Sequence, residues 1–134
     1  PLEVYTKPKT LFTAQFIGSP AMNILECECK KGEIILSNGS TLKTNTKHEG
    51  RANLGLRPED FSIDENGPIK LKIELMELIG ANTLFHCRLE KNNEPVVVSI
   101  PGVLENKYIG KSVNFSYDNL KIHLFDINSD QRIS

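Results

Sequence analysis

A chain of 134 residues with 39% hydrophobic and 25% charged residues has the composition of one folded domain rather than of a disordered segment. Its formal net charge of -1 argues against a general nucleic-acid binder, which carries a basic excess. No apolar run approaches the roughly 20 residues that a membrane-spanning helix needs.

In chain order, Pro1-Leu2-Glu3-Val4-Tyr5 lacks both an initiator Met and a charged-then-apolar signal pattern, so the sequence is expected to continue a longer polypeptide. Pro8 to Ile17 reads as a short helix. Pro8 suits a first turn, and Leu11, Phe12, Gln15 and Phe16 give a partly apolar face. Gly18-Ser19-Pro20 stops it. Beyond that point the period changes from helix to strand. Leu25, Cys27 and Cys29 alternate with Glu26, Glu28 and Lys30, as in a half-buried strand. Glu33 to Ser37 and Ser40 to Lys43 flank Asn38-Gly39, a hairpin signal that predicts positive φ at both turn residues. Thr44 to Ala52 follows no period and reads as a loop. Leu54-Gly55-Leu56 is a short strand closed by Arg57-Pro58, and Asn66-Gly67-Pro68 is a turn. The longest strand places Ile69, Leu71, Ile73 and Leu75 on one face and Lys70, Lys72 and Glu74 on the other, until Gly80 breaks it. Thr83 to Leu89, Pro95 to Ile100, Lys111 to Tyr117 and Lys121 to Phe125 complete the series. Short strands with turns about every ten residues predict a small antiparallel sandwich or barrel. No alternating helices are present to build a parallel doubly wound sheet.

Chemistry-bearing patterns are sparse. Gly110-Lys111-Ser112 resembles the tail of a phosphate loop, but the position five residues upstream of Gly110 is Glu105 rather than glycine. Val113 to Tyr117 then alternates like a strand, so a turn entering a strand is the better reading. Cys27 and Cys29 share a strand face, where a mutual bridge would be strained, and reduced thiols are expected. His48, His86 and His123 are scattered without metal-ligand spacing. His86 and Cys87 are adjacent and so face opposite sides of a strand, which separates a nucleophile from its base. Cys87 shares its face with Thr83, Phe85 and Leu89 as a core filler. Arg57 is placed to pair with Glu59 or Asp60, or to clamp carbonyls of a neighbouring strand; a strand-terminating turn with surface charges explains it as well. From residues alone, the chain is an all-β domain with a helical leader.

Four strings, in order, resemble one family. They are Phe16-Ile17-Gly18-Ser19-Pro20-Ala21-Met22-Asn23 after Pro1-Leu2-Glu3-Val4-Tyr5 and Pro8; Leu54-Gly55-Leu56-Arg57-Pro58-Glu59-Asp60; Glu77-Leu78-Ile79-Gly80-Ala81-Asn82-Thr83-Leu84-Phe85-His86; and Ile122-His123-Leu124-Phe125-Asp126. Together they resemble the C-terminal part of the ATP-binding subunits of bacterial ABC importers of the maltose and glycerol-3-phosphate type. Asn82 departs from that pattern, where many relatives carry an acidic residue, and Cys27 to Ala52 matches nothing sharply.

The resemblance implies a mainly β fold, an OB-like (TOBE) barrel or sandwich with a short N-terminal helix. It implies that residues 1–23 end the nucleotide-binding domain and that residues 24–134 form a regulatory and dimerisation domain. The parent polypeptide would be an ATPase that uses ATP and Mg, with its phosphate loop and signature motif upstream of Pro1. This chain alone would be no enzyme and would hold no cofactor or metal. The implied partners are a second copy of the subunit, membrane permease subunits and a cytoplasmic regulatory protein. The implied location is peripheral, on the cytoplasmic face of the bacterial inner membrane. Arg57, Pro58, Glu59, Gly80 and His86 are the implied regulatory or structural motif. A small-ligand sensing domain of such an ATPase, taking an oxyanion or metabolite, is the second expectation. A nucleic-acid-binding OB module is the third, and it is opposed by 7% aromatic residues and the absence of Trp.

Overall fold

The computed structural model describes residues 9–11 and 21–133, which divide into two compact units: Pro1–Arg57 with Asn119–Ser134, and Pro58–Asp118. The helix expected over Pro8 to Ile17 falls outside the described residues except for Lys9 to Leu11. Those three residues run beside the chain's other end, where Thr10 bridges Gln131 and the Leu11 N–H donates to Asp130 O at 2.9 Å.

The first unit holds a five-stranded antiparallel sheet. Its strands are β1 (Asn23–Lys30), β2 (Glu33–Leu36), β3 (Thr41–Lys43), β4 (Gly50–Leu56) and β10 (His123–Asp126), in the order β10-β4-β1-β2-β3. Alternation decides the faces of β1. Leu25, Cys27 and Cys29 are buried, while Glu26, Glu28 and Lys30 are exposed. Ile34, Leu36, Leu42, Leu54, Leu56 and Leu124 extend the buried face, and Phe125 packs with Met22 on the other side of the sheet. Each such side chain contributes about 1.5–3 kcal/mol through removal from water.

Two details differ from expectation. The β2–β3 hairpin forms, but through a three-residue loop of Ser37, Asn38 and Gly39, and only Gly39 takes positive φ, at 90°. The Gly39 N–H donates to Leu36 O at 2.9 Å and the Leu36 N–H donates to Ser40 O at 2.8 Å, a tight turn followed by a left-handed glycine. The second difference is β4, which begins at Gly50 rather than beyond Ala52. Gly50, Arg51 and Ala52 pair with Cys29, Glu28 and Cys27 of the central strand, so ladder hydrogen bonds override a locally polar sequence.

The second unit holds β5 (Phe61–Ile63), β6 (Ile69–Ile79), β7 (Asn82–Leu89), β8 (Pro95–Pro101) and β9 (Ser112–Tyr117), ordered β5-β9-β6-β7-β8. Ile69, Leu71 and Ile73 alternate inward beside Phe85, Cys87, Leu89, Val96, Val98 and Phe115. Phe115 anchors the aromatic contacts, edge-on to Phe61 at 6.2 Å and to Phe85 at 6.1 Å between ring centroids. Leu75 does not continue the buried row. A register shift between Ile73 and Leu75 adds one residue to β6, and Leu75 is left 54% exposed. A bulge turns every later side chain to the opposite face, which period-two alternation cannot anticipate.

The β7–β8 connection stores strain that can be measured. Lys91 sits there at φ 79°, in the left-handed region that a Cβ disfavours. Lys91→Gly is expected to raise stability by about 0.5–1 kcal/mol. A higher urea midpoint at unchanged slope would register the gain.

Candidate functional site

Of the five residues singled out by sequence, Arg57 closes a segment of the first unit, while Pro58, Glu59, Gly80 and His86 belong to the second. Arg57 ends the first unit's β4 stretch and is 4% exposed, which makes it a buried cation rather than a surface charge. Pro58 is buried and opens a single 3₁₀ turn, Pro58–Asp60, on which Glu59 is exposed.

Arg57 lies near a second guanidinium. Burial, and after it the positive charge of Arg57, hold Arg132 below the ordinary arginine range. Arg132 Nη2 donates to Nδ1 of the buried His123 at 2.6 Å, and its guanidinium carbon sits 5.4 Å from the Phe125 ring centroid. Since Nδ1 accepts, the neutral ring carries its proton on Nε2. Arg132, His123 and Phe125 thus form one polar-aromatic cluster joining β10 to the segment after it, and the buried Arg57 lies near enough for its charge to act on Arg132. In the sequence His123 is one of three scattered histidines and Phe125 ends the last strand, and only the string Ile122 to Asp126 sets them together. No period or spacing marks Arg132, whose role depends on the chain folding back past Asp126.

Gly80 and His86 belong to the β6–β7 hairpin of the second unit. Gly80 and Ala81 link Ile79 to Asn82, with Gly80 at φ 62°. His86 Nε2 lies 2.6 Å from Glu77 Oε1 across the ladder, and Arg88 Nε donates to Glu74 Oε1 at 3.1 Å. Both pairs are substantially exposed, so each contributes at most about 1 kcal/mol. Leu75, Leu78 and Ile79 are each more than half exposed on this hairpin, a feature that the sequence concealed by its apparent alternation.

Gly110-Lys111-Ser112 uses its backbone within the second unit. The Gly110 N–H donates to Ile73 O at 2.7 Å, the Lys111 N–H donates to Tyr108 O at 3.0 Å, and Ser112 begins β9. Those donors meet carbonyls, and a strand follows where a phosphate loop needs a helix. Cys27, Cys29 and Cys87 are buried free thiols. Among the described residues no three His, Cys, Asp or Glu side chains are grouped to hold a metal ion, and no helix is long and apolar enough to cross a membrane.

Its burial gives Arg57 a structural role that can be tested. Arg57→Ala is expected to cost roughly 2 kcal/mol, because it removes a buried guanidinium and the packing of its stem. Lys91→Ala keeps the backbone strain and exposure of the native residue and serves as the neutral comparison. Thermal melts of the two variants should differ by several degrees.

Comparison with known proteins agrees with this architecture. The model of the MalK OB fold domain matches residues 18–61, and that of the TOBE domain matches residues 54–125. The chain is 40% identical over 134 residues to the sn-glycerol-3-phosphate import ATP-binding protein UgpC of Ruegeria pomeroyi, covering 100% of this chain and 38% of that protein. It is 34% identical to the alpha-glucoside transport ATP-binding protein AglK of Rhizobium meliloti, over 96% of this chain and 38% of AglK. It is 35% identical to an Escherichia coli UgpC, over 99% of this chain and 39% of that protein. The chain therefore spans well under half the length of these curated relatives. Among solved structures, the cytoplasmic molybdate-binding protein ModG aligns with a TM-score of 0.60, covering 76% of this chain and 94% of ModG. At 9% identity that likeness concerns the fold alone. With two antiparallel sheets of short strands and a family match that takes in more than half of its residues, the chain belongs to the TOBE domain family.

Proposed function

We propose that this chain is the regulatory and dimerisation domain of the ATP-hydrolysing subunit of a bacterial ABC solute importer for glycerol-3-phosphate or a carbohydrate. The observation that carries the reading is the 40% identity to an import ATP-binding protein along the whole chain. In this reading residues 1–23 end the nucleotide-binding domain and residues 24–134 are the control domain. ATP and Mg bind the parent subunit elsewhere, and the chain by itself hydrolyses nothing. The parent sits at the cytoplasmic face of the inner membrane, where it meets permease subunits. Its control domain meets a second copy and a cytoplasmic regulatory protein. A dimer contact remote from the nucleotide lets the ATP-binding halves open and close without dissociating. Such a contact also raises the effective concentration of one half for the other.

A chimera tests this directly. The matching stretch of the Ruegeria pomeroyi relative is replaced by this chain, and the subunit is assayed with its permeases. Retained dimerisation in nucleotide-free buffer and retained solute uptake are expected. A folded, ATP-binding chimera that is monomeric without nucleotide would sink the dimerisation role. Specific ATP turnover by the isolated chain, abolished by a point substitution within it, would sink its assignment as a non-catalytic domain.

A further inference from the structure

Two Asn-Gly pairs occur in the chain, Asn38-Gly39 and Asn66-Gly67, and the structure treats them differently. In any Asn-Gly pair the glycine nitrogen is able to attack the asparagine side-chain carbonyl, because no Cβ hinders the approach. We infer that Asn38 is a site of spontaneous deamidation in the folded protein, and that Asn66 is protected.

The reaction is redox-neutral and consumes only water. The Gly39 N–H loses its proton to solvent base and the nitrogen bonds to Asn38 Cγ. The Cγ–Nδ2 bond then breaks and ammonia leaves, giving a succinimide. Water opens that ring at the side-chain carbonyl to give aspartate. Opening at the main-chain carbonyl gives isoaspartate, which carries the backbone through the side-chain methylene.

Three observations separate the two sites. The Ser40 N–H donates to Asn38 Oδ1 at 3.0 Å, so a backbone donor already points at the oxygen where negative charge develops as Gly39 attacks. No described contact gives Asn66 Oδ1 such a donor; the Asn66 backbone N–H instead donates to Asp64 Oδ1 at 2.9 Å. Gly39 has open space around it, since a Cβ built there meets nothing within 4 Å, and its φ of 90° lies on an exposed loop tip. Gly67 is buried against backbone, where a Cβ would overlap the Phe115 carbonyl and lie 2.7 Å from Ser116 N, and its own carbonyl accepts from Asn114 Nδ2 at 3.0 Å. Ring closure requires rotation about the Asn–Gly backbone, which the first site permits and the second resists. One restraint is common to both. The glycine N–H donates to a turn carbonyl, Leu36 O at 2.9 Å and Asp64 O at 2.8 Å, so that hydrogen bond does not discriminate between them.

The consequence falls on the β2–β3 hairpin. Aspartate adds a negative charge beside Gly39. Isoaspartate adds a main-chain carbon to the five-residue stretch enclosed by the Ile35–Thr41 pair. The added atom is expected to break the Leu36–Ser40 hydrogen bond that closes the loop.

The test compares the two peptides within one sample. The purified chain is held at mildly alkaline pH, folded or in strong denaturant, and peptide mapping follows both asparagines. Isoaspartate is tagged in parallel with an isoaspartyl methyltransferase and labelled methyl donor. In the folded protein Asn38 is expected to convert roughly tenfold faster than Asn66, as one well-placed hydrogen bond and a freer backbone allow. In denaturant the two are expected to convert at similar rates, and Asn38→Gln is expected to remove most of the label from the folded chain. Conversion of Asn66 as fast as Asn38 in the folded state would overturn the inference. So would an unmodified Asn38 in the folded state under conditions where both sites convert in denaturant.

Discussion

Gly67→Ala is expected to destabilise the second unit by about 3 kcal/mol or more, with a corresponding loss of the native melting transition at temperatures the parent chain survives. The cause is contact with main chain. A Cβ at Gly67 would overlap the carbonyl carbon and oxygen of Phe115 and lie 2.7 Å from the Ser116 nitrogen. Those atoms belong to β9, which is held on both sides, to β5 through Phe61–Tyr117 and to β6 through Ile69–Phe115. A side chain in the way could rotate. A carbonyl in a sheet moves only if its ladder moves. Gly55→Ala provides the internal comparison. There an added Cβ would meet the Met22 sulfur, with Phe125 Cε2 at 3.2 Å and His123 Cβ at 3.3 Å. Met22 is flexible and can re-seat, so the cost is expected near 1 kcal/mol. Urea titrations of the two alanine variants should separate them by at least a factor of two in lost free energy. Equal losses would show that the Phe115 carbonyl yields as readily as the methionine.

Much of this fold is legible in the sequence because one face of each long strand is buried and the other is not. Leu25, Cys27 and Cys29 of β1 and Ile69, Leu71 and Ile73 of β6 announce their inward faces by period two. The features that escape are those in which a distant partner overrules the local pattern. Leu75 follows the apparent period and yet is exposed, because the β6 bulge arises from pairing with β7. Gly50 to Ala52 looks like loop until β1 and β10 flank it. Phe61 to Ile63 is too short to show alternation and becomes a strand only by joining β9. The candidate site divides in the same way. The Arg-Pro-Glu string at Arg57 marks a chain turn, but Arg57 is buried near Arg132, which holds His123 and lies more than 60 residues further along the chain. No local spacing encodes that meeting.

The same burial that hides the cysteines makes the fold sensitive to alkali. Burial first, then the neighbouring Cys29, push the Cys27 thiol up to about 12. Burial first, then the charge of Glu74, push Cys87 up to about 12. Cys29 is also raised, chiefly by burial. An unfolded thiol ionises near 8.5. Between that value and about 12 the native chain keeps protons that the unfolded chain releases, so native protein binds more protons and stability must fall as pH rises. Cys27 and Cys87 each contribute up to about 1.4 kcal/mol of lost stability per pH unit within that window, and nothing below it. At neutral pH all three thiols are therefore expected to stay protonated and slow to alkylate, as buried, uncharged sulfur is a poor nucleophile. The decisive measurement is differential. Urea midpoints are compared at pH 7 and pH 10 for the parent chain and for a Cys27→Ala, Cys87→Ala double variant. The variant is expected to start less stable, having lost two buried sulfurs, and to lose less on going to pH 10. Parallel decline of the two proteins would mean that the native interior admits water or a counter-charge to these thiols. Their burial would then be less complete in solution than the packing of β1 and β7 implies.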